Sequence, residues 1–71
     1  MSVVSLRHSR SGPELGCAEM SADPDTIDRL VRLAERLVRD TGQPVSAFRV
    51  DGSGHLYGAP MFRLAPEDMG G

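Results

Sequence analysis

Ile27, Leu30, Val31, Ala34, Leu37, Val38 and Thr41 recur at spacings of three and four. That period lines them along one stripe of an α-helix, so an amphipathic helix is predicted from Asp23 to Thr41. Both ends carry matching signals. Asp23 is a good N-cap, Pro24 suits the first helical position, where no N–H is needed, and Asp25 and Asp28 complement the positive end of the dipole. Gly42 is suited to a left-handed terminator, and Pro44 blocks resumption of the helix.

Beyond Pro44 the period falls to two. Phe48 and Val50 alternate with Arg49 and Asp51, and Leu56, Phe62 and Leu64 continue the even-numbered set. A β-hairpin is predicted, closing through Gly52, Ser53 and Gly54, with Asp51 facing His55, Val50 facing Leu56 and Arg49 facing Tyr57. On this reading one even-numbered face, from Phe48 to Leu64, is what the helix covers. The expected fold class is α+β: one long amphipathic helix packed on a β-hairpin, with an N-terminal strand or hairpin as a further element.

Residues 1–20 read differently from the rest, because the polar run HSRSG, Pro13 and Gly16 break up any period and Met20-Ser21 resembles a fresh start of translation. They are expected to be either a weakly ordered extension or a short β-hairpin, with strands at 2–8 and 15–20 around a turn at 9–13. Residues 21–65 would then form an α-β-β domain and residues 66–71 a C-terminal tail.

Composition narrows the function. A chain of 71 residues is at most one domain with a small core, which favours self-association or a partner. The single cysteine, Cys17, excludes an internal disulfide and points to a reducing, cytoplasmic setting. The early apolar cluster of Val3, Val4 and Leu6 is too short for a secretory signal, and no run approaches membrane-spanning length. A net charge of −2 argues against a chain devoted to sequence-independent binding of a polyanion. All eight basic side chains are arginine, so lysine chemistry such as Schiff-base catalysis is excluded.

Candidate chemistry gathers at 49–63. Asp51, Ser53 and His55 contain the letters of a hydrolase triad, but a triad needs groups held on separate rigid elements around an oxyanion site. Three residues on one glycine-flanked turn do not supply that, so no catalytic residue is assigned. Asp51 and His55 are read as a pH-sensitive cross-strand pair. A phosphate cradle would need a helix start after its glycines, which HLYGAP lacks. His8, Cys17 and His55 lack metal-site spacing, and no cofactor is expected. Arg49, Tyr57 and Arg63 share the odd-numbered, outward face of the expected hairpin and are candidates for partner binding, as is Leu33 at the edge of the helix's apolar stripe. Arg29, Arg32, Arg36 and Arg39 form a second helical stripe, but interleaved acids at Asp25, Asp28 and Glu35 make it read as a solvated face.

Two family resemblances bear on these residues. SGHLYG followed by RLAPEDM at 63–69 resembles the wing and following helix start of MerR-type and excisionase-like winged-helix proteins, and TGQPVSAFR at 41–49 resembles the turn and start of their recognition helix. That resemblance implies nucleic-acid binding through the 49–63 hairpin. The amino-terminal segment, DTID at 25–28, GQP after the helix and the terminal Gly70-Gly71 resemble ubiquitin-like and sulfur-carrier β-grasp proteins. That one implies a carrier modified through its C-terminal diglycine. The residues themselves favour a third expectation: a small non-enzymatic interaction or regulatory module that binds another protein, as a homodimer.

Overall fold

Val4 and Leu6 alternate with Val3, Ser5 and Arg7, and this short period-two run forms strand β1 (Ser2–Arg7). In the computed structural model, which describes residues 2–20 and 24–69 and the side chains of all of these except Ser2 and Met20, five further elements follow. They are β2 (Glu14–Met20), α1 (Pro24–Thr41), β3 (Val45–Val50), β4 (Leu56–Leu64) and a 3-10 turn at Pro66–Met69. The four strands make one sheet in the order β2-β1-β3-β4, antiparallel at every junction.

Of the two alternatives for the N-terminal segment, residues 2–20 are the short β-hairpin, and it supplies an inner strand and one edge of the sheet. Val4 and Leu6 are fully buried, and they join Val45 and Ala47 of β3 under Leu30, Ala34 and Val38 of α1. β2 and β3 both run antiparallel to β1, so they are parallel to one another. A parallel pair needs a crossover rather than a tight turn, and α1 supplies it.

The helix begins at Pro24 and ends at Thr41. The expected N-cap, Asp23, lies outside the described residues. At the other end Gly42 takes a φ of 68° and donates its N–H to the Val38 carbonyl at 2.8 Å, while Thr41 Oγ1 donates to the Leu37 carbonyl at 2.7 Å. Two carbonyls of the last turn are thus satisfied, which is what a left-handed glycine after the helix achieves.

The hairpin tip forms in the expected register, with Val50 opposite Leu56 and Arg49 opposite Tyr57. Further along, Ala47 pairs with Phe62, Ser46 with Arg63 and Val45 with Leu64. Gly58, Ala59, Pro60 and Met61 therefore stand opposite Phe48 alone. β3 itself stays regular, since its pairing with β1 is unbroken from Val50 to Ser46. The surplus in β4 is odd, so the alternation inverts across the bulge. Val45 and Ala47 share the helix side with Phe62 and Leu64, whereas Phe48 and Val50 share the opposite side with Leu56. The single even-numbered core face expected from the sequence is corrected accordingly. Gly58, at a φ of 73°, and Pro60, which has no N–H to leave unpaired on an edge strand, are the residue types such a bulge requires.

A Cβ added at Gly58 meets no atom within 4 Å. Gly58→Ala is therefore expected to destabilise by about 1–2 kcal/mol through backbone conformation alone, read by urea unfolding. An unchanged midpoint would contradict the left-handed geometry assigned to the bulge.

The expected tail from Pro66 onward is corrected as well. Asp68 Oδ2 accepts the Ala65 N–H at 3.1 Å, and the Asp68 N–H donates to the Ala65 carbonyl at 3.0 Å. These reciprocal bonds close the turn, and Met69 packs against the core. Gly70 and Gly71 lie outside the described residues.

Candidate interaction surface

One side of the sheet is covered by α1 and, among the described residues, the other carries no helix. Strand pairing sets the helix-free side out in three rows across the strands. The first row is Glu19, Val3, Val50 and Leu56, and the third is Glu14, Arg7, Ser46 and Arg63. Between them lie Cys17, Ser5 and Phe48, with the bulge of β4 completing the row. The face thus grades from apolar at the hairpin-tip end to charged at the other.

Its centre is buried without a helix. Ser5 is 0% and Phe48 4% exposed. Ser5 Oγ donates to Glu14 Oε2 at 2.9 Å and accepts from Arg7 Nε at 2.9 Å, and Arg7 Nη1 donates to the Gly12 carbonyl at 2.7 Å. The hydroxyl is thus satisfied in both roles, as burial demands. Enclosed and doubly bonded, it serves to hold the face together and offers no free nucleophile.

Phe48 is covered by Arg10. The guanidinium stands 5.2 Å from the ring centroid, a cation–π distance, and donates through Nη2 to the Gly58 carbonyl on the bulge. The β1–β2 turn therefore reaches across the sheet and sets a positive charge beside β4. His8 anchors the same turn. Its Nδ1 is 2.8 Å from the Pro44 carbonyl, which only accepts, so this nitrogen carries the proton.

The candidates from sequence are dispersed. Arg49 and Tyr57 pair across β3 and β4 on the helix side, beyond the part α1 covers, and Tyr57 is 44% exposed. Arg63 pairs with Ser46 on the opposite side. The three therefore do not form one outward face, because the bulge lies between Tyr57 and Arg63. Leu33 is 37% exposed, and its Cδ2 lies 3.5 Å from where a Cβ on Gly16 would stand, over β2. Leu33 thus sits at the helix-side margin of the sheet. Arg29, Arg32, Arg36 and Arg39 are all exposed.

Asp51 and His55 meet through the backbone. Asp51 Oδ1 accepts the N–H of Ser53 at 2.8 Å and of His55 at 2.9 Å, and the Asp51 N–H donates to the His55 carbonyl at 2.9 Å. The His55 N–H and then the Ser53 N–H hold the Asp51 carboxyl below its ordinary value of 3.8, with a smaller contribution from the His55 charge. The Asp51 carboxylate clamps the turn chiefly through these two backbone N–H groups, with the His55 charge adding to them. A depressed folded pKa means that the clamp's stabilisation is fully present above about pH 3.8 and is lost as pH falls through the lower folded value. Asp51→Asn is therefore expected to lower the melting temperature at pH 7 and to flatten its fall between pH 4 and 2. An equally steep acid fall in the variant would contradict this.

Among the described residues no three His, Cys, Asp or Glu side chains are placed to hold a metal ion, and no helix is long and apolar enough to cross a membrane. TGQPVSAFR does not open a recognition helix, since residues 45–50 are β3. The Ser5–Arg7–Glu14 cluster and the Arg10–Phe48 stack were not found by sequence reasoning. The alternation in VVSLR places Ser5 and Arg7 opposite the core pair Val4 and Leu6, which was a usable signal for the first. Comparison with protein-family models, with curated proteins and with solved structures found no match.

Proposed function

We propose that this chain is a small non-enzymatic interaction module that binds another protein and pairs with a second copy of itself through the helix-free side of its sheet. The observation that carries this reading is the row of Val3, Val50 and Leu56, three adjacent apolar side chains on a side that no described helix covers. All three are half-buried. A sheet with apolar residues on both sides gains by packing each against something, and among the described residues no helix packs on this row. A reducing compartment such as the cytoplasm suits the exposed thiol of Cys17 on the same side.

Sedimentation equilibrium over a concentration series is the test. The full chain is expected to show a mass above the monomer, and Leu56→Glu to return it to monomer with its circular dichroism unchanged. Monomeric behaviour at every concentration would overturn the self-pairing. The nucleic-acid reading draws less support, because Arg63 is turned away from Arg49 and Tyr57, so the three side chains expected to act together do not share a face. It makes the opposite prediction: binding to single or double strands that weakens steeply with salt and on Tyr57→Ala.

A further inference from the structure

We infer, on the reading just proposed, that the second copy seats face to face with its two-fold axis parallel to the strands, so that β2 of one sheet lies over β4 of the other. The helix-free side is electrically divided. Its β2 margin carries Glu14 and Glu19. Its β4 margin carries Arg63 in its own row and the Arg10 guanidinium, brought there by the bond to the Gly58 carbonyl. Glu14 keeps 45% of its side chain exposed beside Arg7. A carboxylate has room for a second guanidinium on its outer side.

Sheets packed face to face lie about 10 Å apart with their strands roughly aligned. Two orientations of a two-fold axis fit between them. An axis parallel to the strands exchanges β2 with β4 and β1 with β3. Glu14 then lies over the partner's Arg63, Val3 over the partner's Val50, Glu19 over the partner's Leu56 at the margin of the sheets, where its carboxylate keeps water, and the partner's Arg10 falls between Glu14 and Glu19. Every pairing occurs twice, since the contact is isologous. An axis perpendicular to the strands exchanges the outer rows instead. Glu19 would then meet the partner's Glu14, and the apolar row would lie on the partner's Arg7, Ser46 and Arg63. Like charges would be juxtaposed and arginines desolvated against aliphatic side chains, both unfavourable. Charge and apolarity select the same axis.

Sedimentation equilibrium on Arg63→Glu, on Glu14→Arg and on their equimolar mixture tests this arrangement. Each variant alone is expected to weaken dimerisation about ten-fold or more, because it sets like charges opposite one another twice. The mixture is expected to recover the native affinity, because a mixed pair restores both Glu–Arg contacts. Thermal melting separates misfolding from lost association, and Arg63→Glu alone suffices if Glu14→Arg disturbs Ser5. Dimerisation of the native chain with no loss in Arg63→Glu would overturn the arrangement and leave the proposed function standing, whereas a monomeric native chain would overturn the function itself. Oxidation supplies an independent reading. The two Cys17 residues sit on strands three spacings apart and on opposed sheets, about 17 Å between Cα atoms, so no disulfide-linked dimer is expected. Rapid disulfide formation would place the two β2 strands together, edge to edge or one over the other, and overturn the proposal.

Discussion

A fragment lacking residues 1–20 is expected not to fold: its circular dichroism should show neither the sheet nor a cooperative melt. β1 lies between β2 and β3, so its removal strips one edge of β3 of its hydrogen-bonding partner from Val50 to Ser46 and leaves it paired with β4 alone. It also takes Val4 and Leu6 from the core, both fully buried. Burial of two such side chains contributes about 1.5–3 kcal/mol each, a sizeable share of the stability available to so small a domain. The remaining helix and hairpin would expose the helix-facing side chains of both. Native-like cooperative unfolding of the fragment would show that residues 1–20 are dispensable and that the placement of β1 is wrong.

Leu30→Ala is expected to cost about 2–5 kcal/mol, against about 1 kcal/mol or less for Leu33→Ala, three positions further along the same helix. Leu30 is 2% exposed and sits within the cluster formed with β1 and β3, so truncating it leaves a cavity that neighbours on two layers must fill. Leu33 lies at the margin over Gly16 with 37% of its surface in water. Urea unfolding of both variants gives the ratio directly. If the two cost the same, the helix is rotated about its axis relative to the sheet described here.

The parts of the fold written in local signals were legible in the sequence. Pro24, Gly42 and Pro44 bound the helix because each acts on its own backbone. The glycines at 52 and 54 closed a short turn whose register follows from counting outward. What the sequence obscured was non-local. The value of β1 lies in a partner strand some forty residues away, so the polar turn beside it dominated a reading by composition. The bulge was obscured because Leu56, Phe62 and Leu64 keep even numbers on both sides of it, while Gly58 and Pro60, residues that favour irregular backbone, were read as part of a continuous strand. That inversion is why the apolar row ended on the open side and why Arg63 parted from Arg49 and Tyr57. Of the four partner-binding candidates, Arg63 alone lies on the proposed surface. Arg10, which pairs with Phe48 and Gly58 across three strands, left no mark in any window of the sequence.

The central claim is that α1 covers the side bearing Val4, Leu6, Val45 and Ala47, while the bulge turns Val50 and Leu56 to the side without a helix. Methyl–methyl nuclear Overhauser effects from Leu30, Ala34 and Val38 measure this directly. Cross-peaks from these methyls to Val4, Leu6, Val45 and Ala47, with none to Val3, Val50 or Leu56, are the result this account predicts. Cross-peaks from the helix to Val50 and Leu56 would contradict it.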